Sequence, residues 1–179
     1  EGVKALKVGD PLDPATDVGP MVDAGQAGRT QAWVDEALAL GGRLLAGGRA
    51  DGTFFPPTVL ADVPTHAQVC SNEAFAPLVV AFRFATLDEA IARVNDSTFG
   101  LQTGLFTNDL AGAWRAFSEL EVGGVIVNDV PTYRIDHMPY GGVKDSGLSR
   151  EGLRYAIEDM TEPRLLVINR LESQAVTID

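Results

Sequence analysis

Between positions 77 and 128 the apolar pattern switches repeatedly from the alternation of a strand to the spacing of a helix and back. Few folds accommodate that alternation, so it constrains the chain more than any other feature. Leu78-Val79-Val80-Ala81-Phe82-Arg83-Phe84 is apolar on both sides at its start, the pattern of a buried strand covered by helices on either face. Thr86 with Glu89 forms a capping box, and Leu87, Ala90, Ile91 and Val94 follow at helical spacing. Gly104-Leu105-Phe106-Thr107 is a strand, Asn108 caps a helix whose inner face is Leu110, Ala113, Trp114 and Phe117, and Gly124-Val125-Ile126-Val127-Asn128 is a strand again. The fold class is therefore α/β, with a parallel sheet, helices on its faces and right-handed crossovers.

The flanks extend this pattern. Residues 10–20 are rich in Gly, Pro, Asp and Thr and form a loop. Asp23 with Gln26 starts a helix that carries Trp33, Val34, Ala37 and Leu38 and stops at Gly41-Gly42. Short strands follow at Arg43 to Ala46 and Thr58 to Ala61. After a loop over 128–147, Ser149 caps a last helix with Leu153, Ala156, Ile157 and Met160 inward. A final strand begins near Arg164, and the polar residues 172–179 form a frayed tail. The opening Glu1-Gly2-Val3-Lys4-Ala5-Leu6-Lys7 has the pattern of the last turns of an amphipathic helix and no initiator Met, so further sequence is expected upstream.

Composition narrows the function. The 179 residues carry 14 Lys and Arg against 25 Asp and Glu, a net charge of −11, which disfavours a phosphate backbone as main partner. No run approaches the roughly 18–20 apolar residues of a membrane span and no secretory signal opens the chain, so a cytoplasmic protein is expected. The sole cysteine, Cys70, forms no intramolecular disulfide, and the two histidines, His66 and His137, lack partners at zinc-ligand spacing. Neither nucleic acid, membrane nor metal is expected. Asn95-Asp96-Ser97 matches a glycosylation acceptor but reads as a turn.

Nucleotide signatures fail on inspection. There is no G-x-G-x-x-G, and in the P-loop-like stretch 142–149 Leu148 stands where the phosphate-binding lysine is required, which leaves a Gly-rich turn. Cys70 reads as a small buried hydrophobe, with a nucleophile as the alternative. Glu73 and Phe75 stand at i and i+2 just before a strand, so both side chains point to one side. A carboxylate there accepts hydrogen bonds from ribose hydroxyls while the ring packs on an apolar cofactor face; a surface Glu beside a core Phe is the alternative. The long loop 128–147, with aromatic, cationic and glycine residues, has the character of a functional loop.

Taken in order, Leu6-Lys7-Val8-Gly9-Asp10-Pro11, Gly19-Pro20, Pro57-Thr58-Val59-Leu60, Glu73-Ala74-Phe75-Ala76-Pro77, Asn95 to Leu101, Val127-Asn128 and Met138-Pro139-Tyr140-Gly141-Gly142-Val143-Lys144-Asp145-Ser146-Gly147 with Arg150-Glu151 resemble the NAD(P)-dependent aldehyde dehydrogenases. The resemblance implies a Rossmann-like α/β catalytic domain that oxidises an aldehyde to its acid with NAD or NADP. A cysteine thiolate captures the aldehyde and a glutamate activates water. Both groups, and the cofactor domain, lie upstream of these residues in that family, so no catalytic residue is carried over, and this stretch alone is expected to be inactive. Glu73 matches the glutamate that binds the nicotinamide ribose and Phe75 the ring beside it. Tyr140 matches an aromatic position on the active-site wall. Arg150 and Glu162 match a charged pair that supports the subunit interface. Residues 1–162 then form part of a catalytic domain and 163–179 an oligomerisation strand and tail, of a homodimer or homotetramer. A non-catalytic assembly module and a coenzyme A-acylating relative remain alternatives.

In the resemblance the loop before Met138 lines the substrate tunnel. Arg134 is there, and a guanidinium suits bidentate recognition of an anionic aldehyde tail. A surface arginine paired with Asp129 or Asp136 is the other reading.

Overall fold

A computed structural model describes residues 1–169, so the tail at 172–179 lies outside the described residues. The chain divides into two compact units, residues 1–98 and residues from 99 on.

The first unit opens with α1 (Gly2–Ala5) and then α2 (Ala24–Ala39), where the Asp23 carboxylate accepts from the Gln26 amide at 2.8 Å as the capping box requires. Strands β1 (Arg43–Ala46), β2 (Thr58–Ala61) and β3 (Leu78–Ala81) form one sheet in that order. β2 and β3 are parallel, Thr58 opposite Leu78. β1 is antiparallel to β2, a correction to the all-parallel expectation. The cause is the short link at 47–57, which holds no crossover helix. α3 (Gln68–Ser71) and α4 (Leu87–Asn95) complete the unit.

Helix α2 turns Val34 and Ala37 onto Phe55, Leu60, Val63, Ala67 and Val69, the core of this unit. The strand expected to be buried on both sides is not. β3 stops at Ala81, packs Leu78 and Val80 against the core, and leaves Val79 54% exposed.

The second unit contains β4 (Phe99–Gly100), β5 (Gln102–Leu105), α5 (Leu110–Glu119), β6 (Gly124–Val127), β7 (Val143–Lys144) and α6 (Leu153–Asp159). β5 and β6 are a parallel pair joined through α5, while β4 and β7 are antiparallel. Asp109, not Asn108, caps α5: its carboxylate accepts from the Ala111 amide at 3.0 Å. Gly152, at φ +116, rather than Ser149, precedes α6.

The helix faces also differ from expectation. α5 buries the small residues Ala113 and Ala116, whereas Leu110, Trp114 and Phe117 are exposed, the two rings meeting edge to face at 6.0 Å. Leu153, Ile157 and Met160 of α6 are exposed as well. The final strand expected from Arg164 is not formed: residues 164–169 hold no strand and stay exposed.

Candidate functional site

Glu73 and Phe75 lie on the loop between α3 and β3. Phe75 adopts φ +49, in the left-handed region that side chains avoid, and its ring is 82% exposed. The Glu73 carboxylate is exposed and holds no hydrogen bond or ion pair among the described residues. Phe75 borders an open cleft of about 730 Å³ whose other wall is the loop at 17–22. The bare ring borders the cleft and the solvated carboxylate stands two residues before it on the same loop, residue types that suit a ribose with a flat ring attached: carboxylate oxygens accept from vicinal hydroxyls and a ring covers an apolar face. The residues present thus fit a nicotinamide nucleotide.

Behind the loop stands Arg29 of α2, which sequence reasoning missed. Its Nη2 donates to the Ala74 carbonyl at 2.8 Å and its guanidinium stacks on the Trp33 ring at 4.7 Å. Nothing in the local pattern marks this contact, which spans 45 positions.

Arg134 and Tyr140 are brought together in the second unit. The guanidinium lies 4.8 Å from the Tyr140 ring centroid, and Nη2 pairs with Glu151 at 2.8 Å. Backbone hydrogen bonds between Tyr140 and Glu151, 3.1 and 2.6 Å, set the ring and the carboxylate around the arginine. The partner is therefore neither Asp129 nor Asp136 but Glu151. One guanidinium edge is occupied while the head remains about half exposed, at 47%. Nη2 takes the Glu151 carboxylate, which leaves other N–H donors for an oxyanion. Glu151 was legible only as a motif residue; its role follows from the Tyr140 pairing.

Other expectations resolve as follows. Arg150 donates to the carbonyls of Gly142 at 2.8 Å and Ser149 at 3.0 Å. The Cys70 thiol, on α3, is half-buried, and burial pushes its pKa up, the opposite of what an attacking thiolate requires.

The motif order, the exposed Glu73–Phe75 pair and the β5-α5-β6 unit all point one way, and the family profile described as the aldehyde dehydrogenase family matches residues 1–166. The chain belongs to the aldehyde dehydrogenase family. This aldehyde dehydrogenase chain is 51% identical over 169 residues to a 3-sulfolactaldehyde dehydrogenase of Priestia aryabhattai, covering 94% of the chain and 35% of the relative. A lactaldehyde dehydrogenase of Methanococcus aeolicus is 38% identical over 169 residues, 94% of the chain and 36% of the relative. Among solved structures, aldehyde dehydrogenase 21 of Physcomitrella patens in complex with the reaction product succinate superposes with a TM-score of 0.93 at 45% identity, over 96% of this chain and 36% of that one. The glyceraldehyde-3-phosphate dehydrogenase of Methanocaldococcus jannaschii complexed with NADP gives 0.85 at 42% identity, over 89% and 34%. The aldehyde dehydrogenase chain thus spans about a third of the length of the curated relatives it matches, 35% of the first.

Proposed function

We propose that these residues serve as part of the catalytic domain of a longer NAD(P)-dependent aldehyde dehydrogenase, one that oxidises an aldehyde bearing an anionic substituent to its carboxylic acid. The observation that carries the cofactor half is the loop that holds Glu73 unpartnered and Phe75 exposed in a left-handed conformation. Backbone strain kept at an exposed ring with no packing to gain is the mark of a functional constraint. The bound nicotinamide nucleotide supplies the hydride acceptor. Glu73 would hold its ribose through two hydroxyls, and Phe75 would lie against its apolar face and exclude water. The attacking thiolate would come from outside these residues, since burial pushes the pKa of Cys70, their one thiol, up rather than down.

The anionic half rests on Arg134, fixed by stacking on Tyr140 and by Glu151 so that its remaining donors are preorganised. Three of the relatives support it by name: one acts on sulfolactaldehyde, one was solved with succinate, one acts on glyceraldehyde 3-phosphate. The lactaldehyde enzyme favours a neutral substrate and makes the comparison worth measuring. In the longer polypeptide, Arg134→Ala is expected to lower kcat/KM about a hundredfold for a sulfonate- or carboxylate-bearing aldehyde, the loss of a charge-assisted pair of about 3 kcal/mol, with little effect on a neutral aldehyde. An equal loss for both removes the anionic reading. Acyl-coenzyme A formed when coenzyme A is added would reassign the product. No cofactor reduction with any aldehyde would favour a non-catalytic module. We further infer that residues 163–169 pair with a neighbouring subunit in a homodimer or homotetramer.

A further inference from the structure

Gln102, the first residue of β5, reaches out of its sheet to the loop that leads to Arg134. Its Nε2 donates to the Pro131 carbonyl at 2.8 Å and, more weakly, to the Tyr133 carbonyl at 3.4 Å. Room for this comes from Gly124, its register partner on β6: a Cβ there would lie 2.9 Å from Gln102 Oε1. Two residues along β5, on the same face, a Cβ on Gly104 would meet the Asp129 carbonyl at 2.7 Å and Pro131 Cδ at 3.1 Å, so the loop rests on bare backbone. At the other end Asn128 turns the chain at φ +61, and its side-chain oxygen accepts from the Thr107 amide at 2.8 Å. The Asn128 amide also donates to the Leu105 carbonyl at 2.8 Å, so the segment 128–133 is held to β5 at both ends, and Arg134 is the first residue beyond the Gln102 clasp.

The clasp is not a packing convenience. Gln102 Oε1 is buried with no hydrogen-bond partner among the described residues, which opposes folding, and an apolar side chain would fill the same space without that cost. What only the amide provides is a donor to two carbonyls of the loop, those of Pro131 and Tyr133. We propose that Gln102 is a positioning residue for substrate selection: by fixing Pro131 and Tyr133 it places the Arg134 guanidinium over Tyr140 with its free donors facing the substrate's anionic group. The inference rests on the reading that Arg134 recognises that group.

The test is steady-state kinetics of the longer enzyme with a carboxylate-bearing aldehyde and a neutral aldehyde of similar size, for wild type, Gln102→Leu, Arg134→Ala and the double variant. Gln102→Leu is expected to raise KM for the anionic aldehyde about tenfold. It leaves kcat, and KM for the neutral aldehyde, near wild type, and adds nothing in the Arg134→Ala background. Gln102→Asn, one methylene too short to reach both carbonyls, gives the same split should the leucine variant not fold. An unchanged KM, an equal rise for both aldehydes, or an effect additive with Arg134→Ala overturns the positioning role and leaves the Arg134 reading standing. Equal losses for both aldehydes in Arg134→Ala overturn that reading and this proposal with it.

Discussion

At Phe75 conformation and chemistry pull in opposite directions, which makes the residue testable. Its φ of +49 favours glycine, yet a large ring occupies it, 82% exposed. If the ring served only the fold, Phe75→Gly would be a plain improvement. The cofactor reading instead expects Phe75→Gly to stabilise the protein by about 1 kcal/mol through relief of left-handed strain, while weakening NAD(P)H binding about tenfold. Thermal unfolding and fluorescence titration of the reduced cofactor separate the two effects, and unweakened binding would remove Phe75 from the site. Cys70 offers a second check. Its raised pKa keeps the thiol protonated at neutral pH, so alkylation by iodoacetamide is expected to be slower than for an exposed cysteine, and to accelerate only as pH rises past the ordinary thiol value. The sequence identified Glu73, Phe75, Arg134 and Tyr140 as candidates because their residue types stand in a recognisable order. It did not identify Glu151 or Arg29 as their supports, since those contacts join positions 17 and 45 apart that no local pattern links.

Elements were legible wherever a cap or a period acts locally. β1 and β2 occupy the expected ranges, and α2 and α4 begin after the expected caps. In α4, Thr86 accepts from the Glu89 amide at 3.2 Å, while the Glu89 carboxylate accepts from the Ala85 amide at 2.8 Å and pairs with Arg93. The Ala85 hydrogen bond first, and Arg93 second, hold the Glu89 carboxyl below its ordinary value. A carboxyl depressed in the folded state contributes stability above its unfolded value and loses it as pH falls through the lower folded value. Glu89→Gln is therefore expected to destabilise modestly at neutral pH and to match wild type once pH drops below the lowered folded value of Glu89; denaturant titrations at neutral and acidic pH check this. Misplaced elements share a cause: Asn108 and Asp109 are both competent caps, and only the Ala111 amide selects between them. Gly123 shows an element boundary set by contact alone. A Cβ there would collide with the Gly141 carbonyl oxygen, so Gly123→Ala is expected to cost more than about 4 kcal/mol and to unfold the β5-β6 region, observable by circular dichroism.

For the molecule as a whole, the same logic gives the sharpest expectation about activity. Residues 1–179 alone should reduce no NAD(P) with any aldehyde, because partial burial pushes the pKa of the one thiol they contain up, away from the attacking thiolate; reduced cofactor formed by this polypeptide by itself would contradict that. The succession α2-β1-β2-β3-α4-β5-α5-β6, the caps of α2 and α4, the acidic balance and the family were all determined by the sequence. Periodicity and capping act within a turn or two of backbone, and motif order survives without coordinates. Tertiary structure decided the rest: that β1 runs antiparallel, that β3 shows one side to solvent, that α5 buries its alanines and exposes Trp114 and Phe117, and that Arg134 answers to Glu151. Which face is covered and which charge is paired depend on residues distant along the chain. An apolar stripe states that a face is available for burial and leaves its partner to long-range packing.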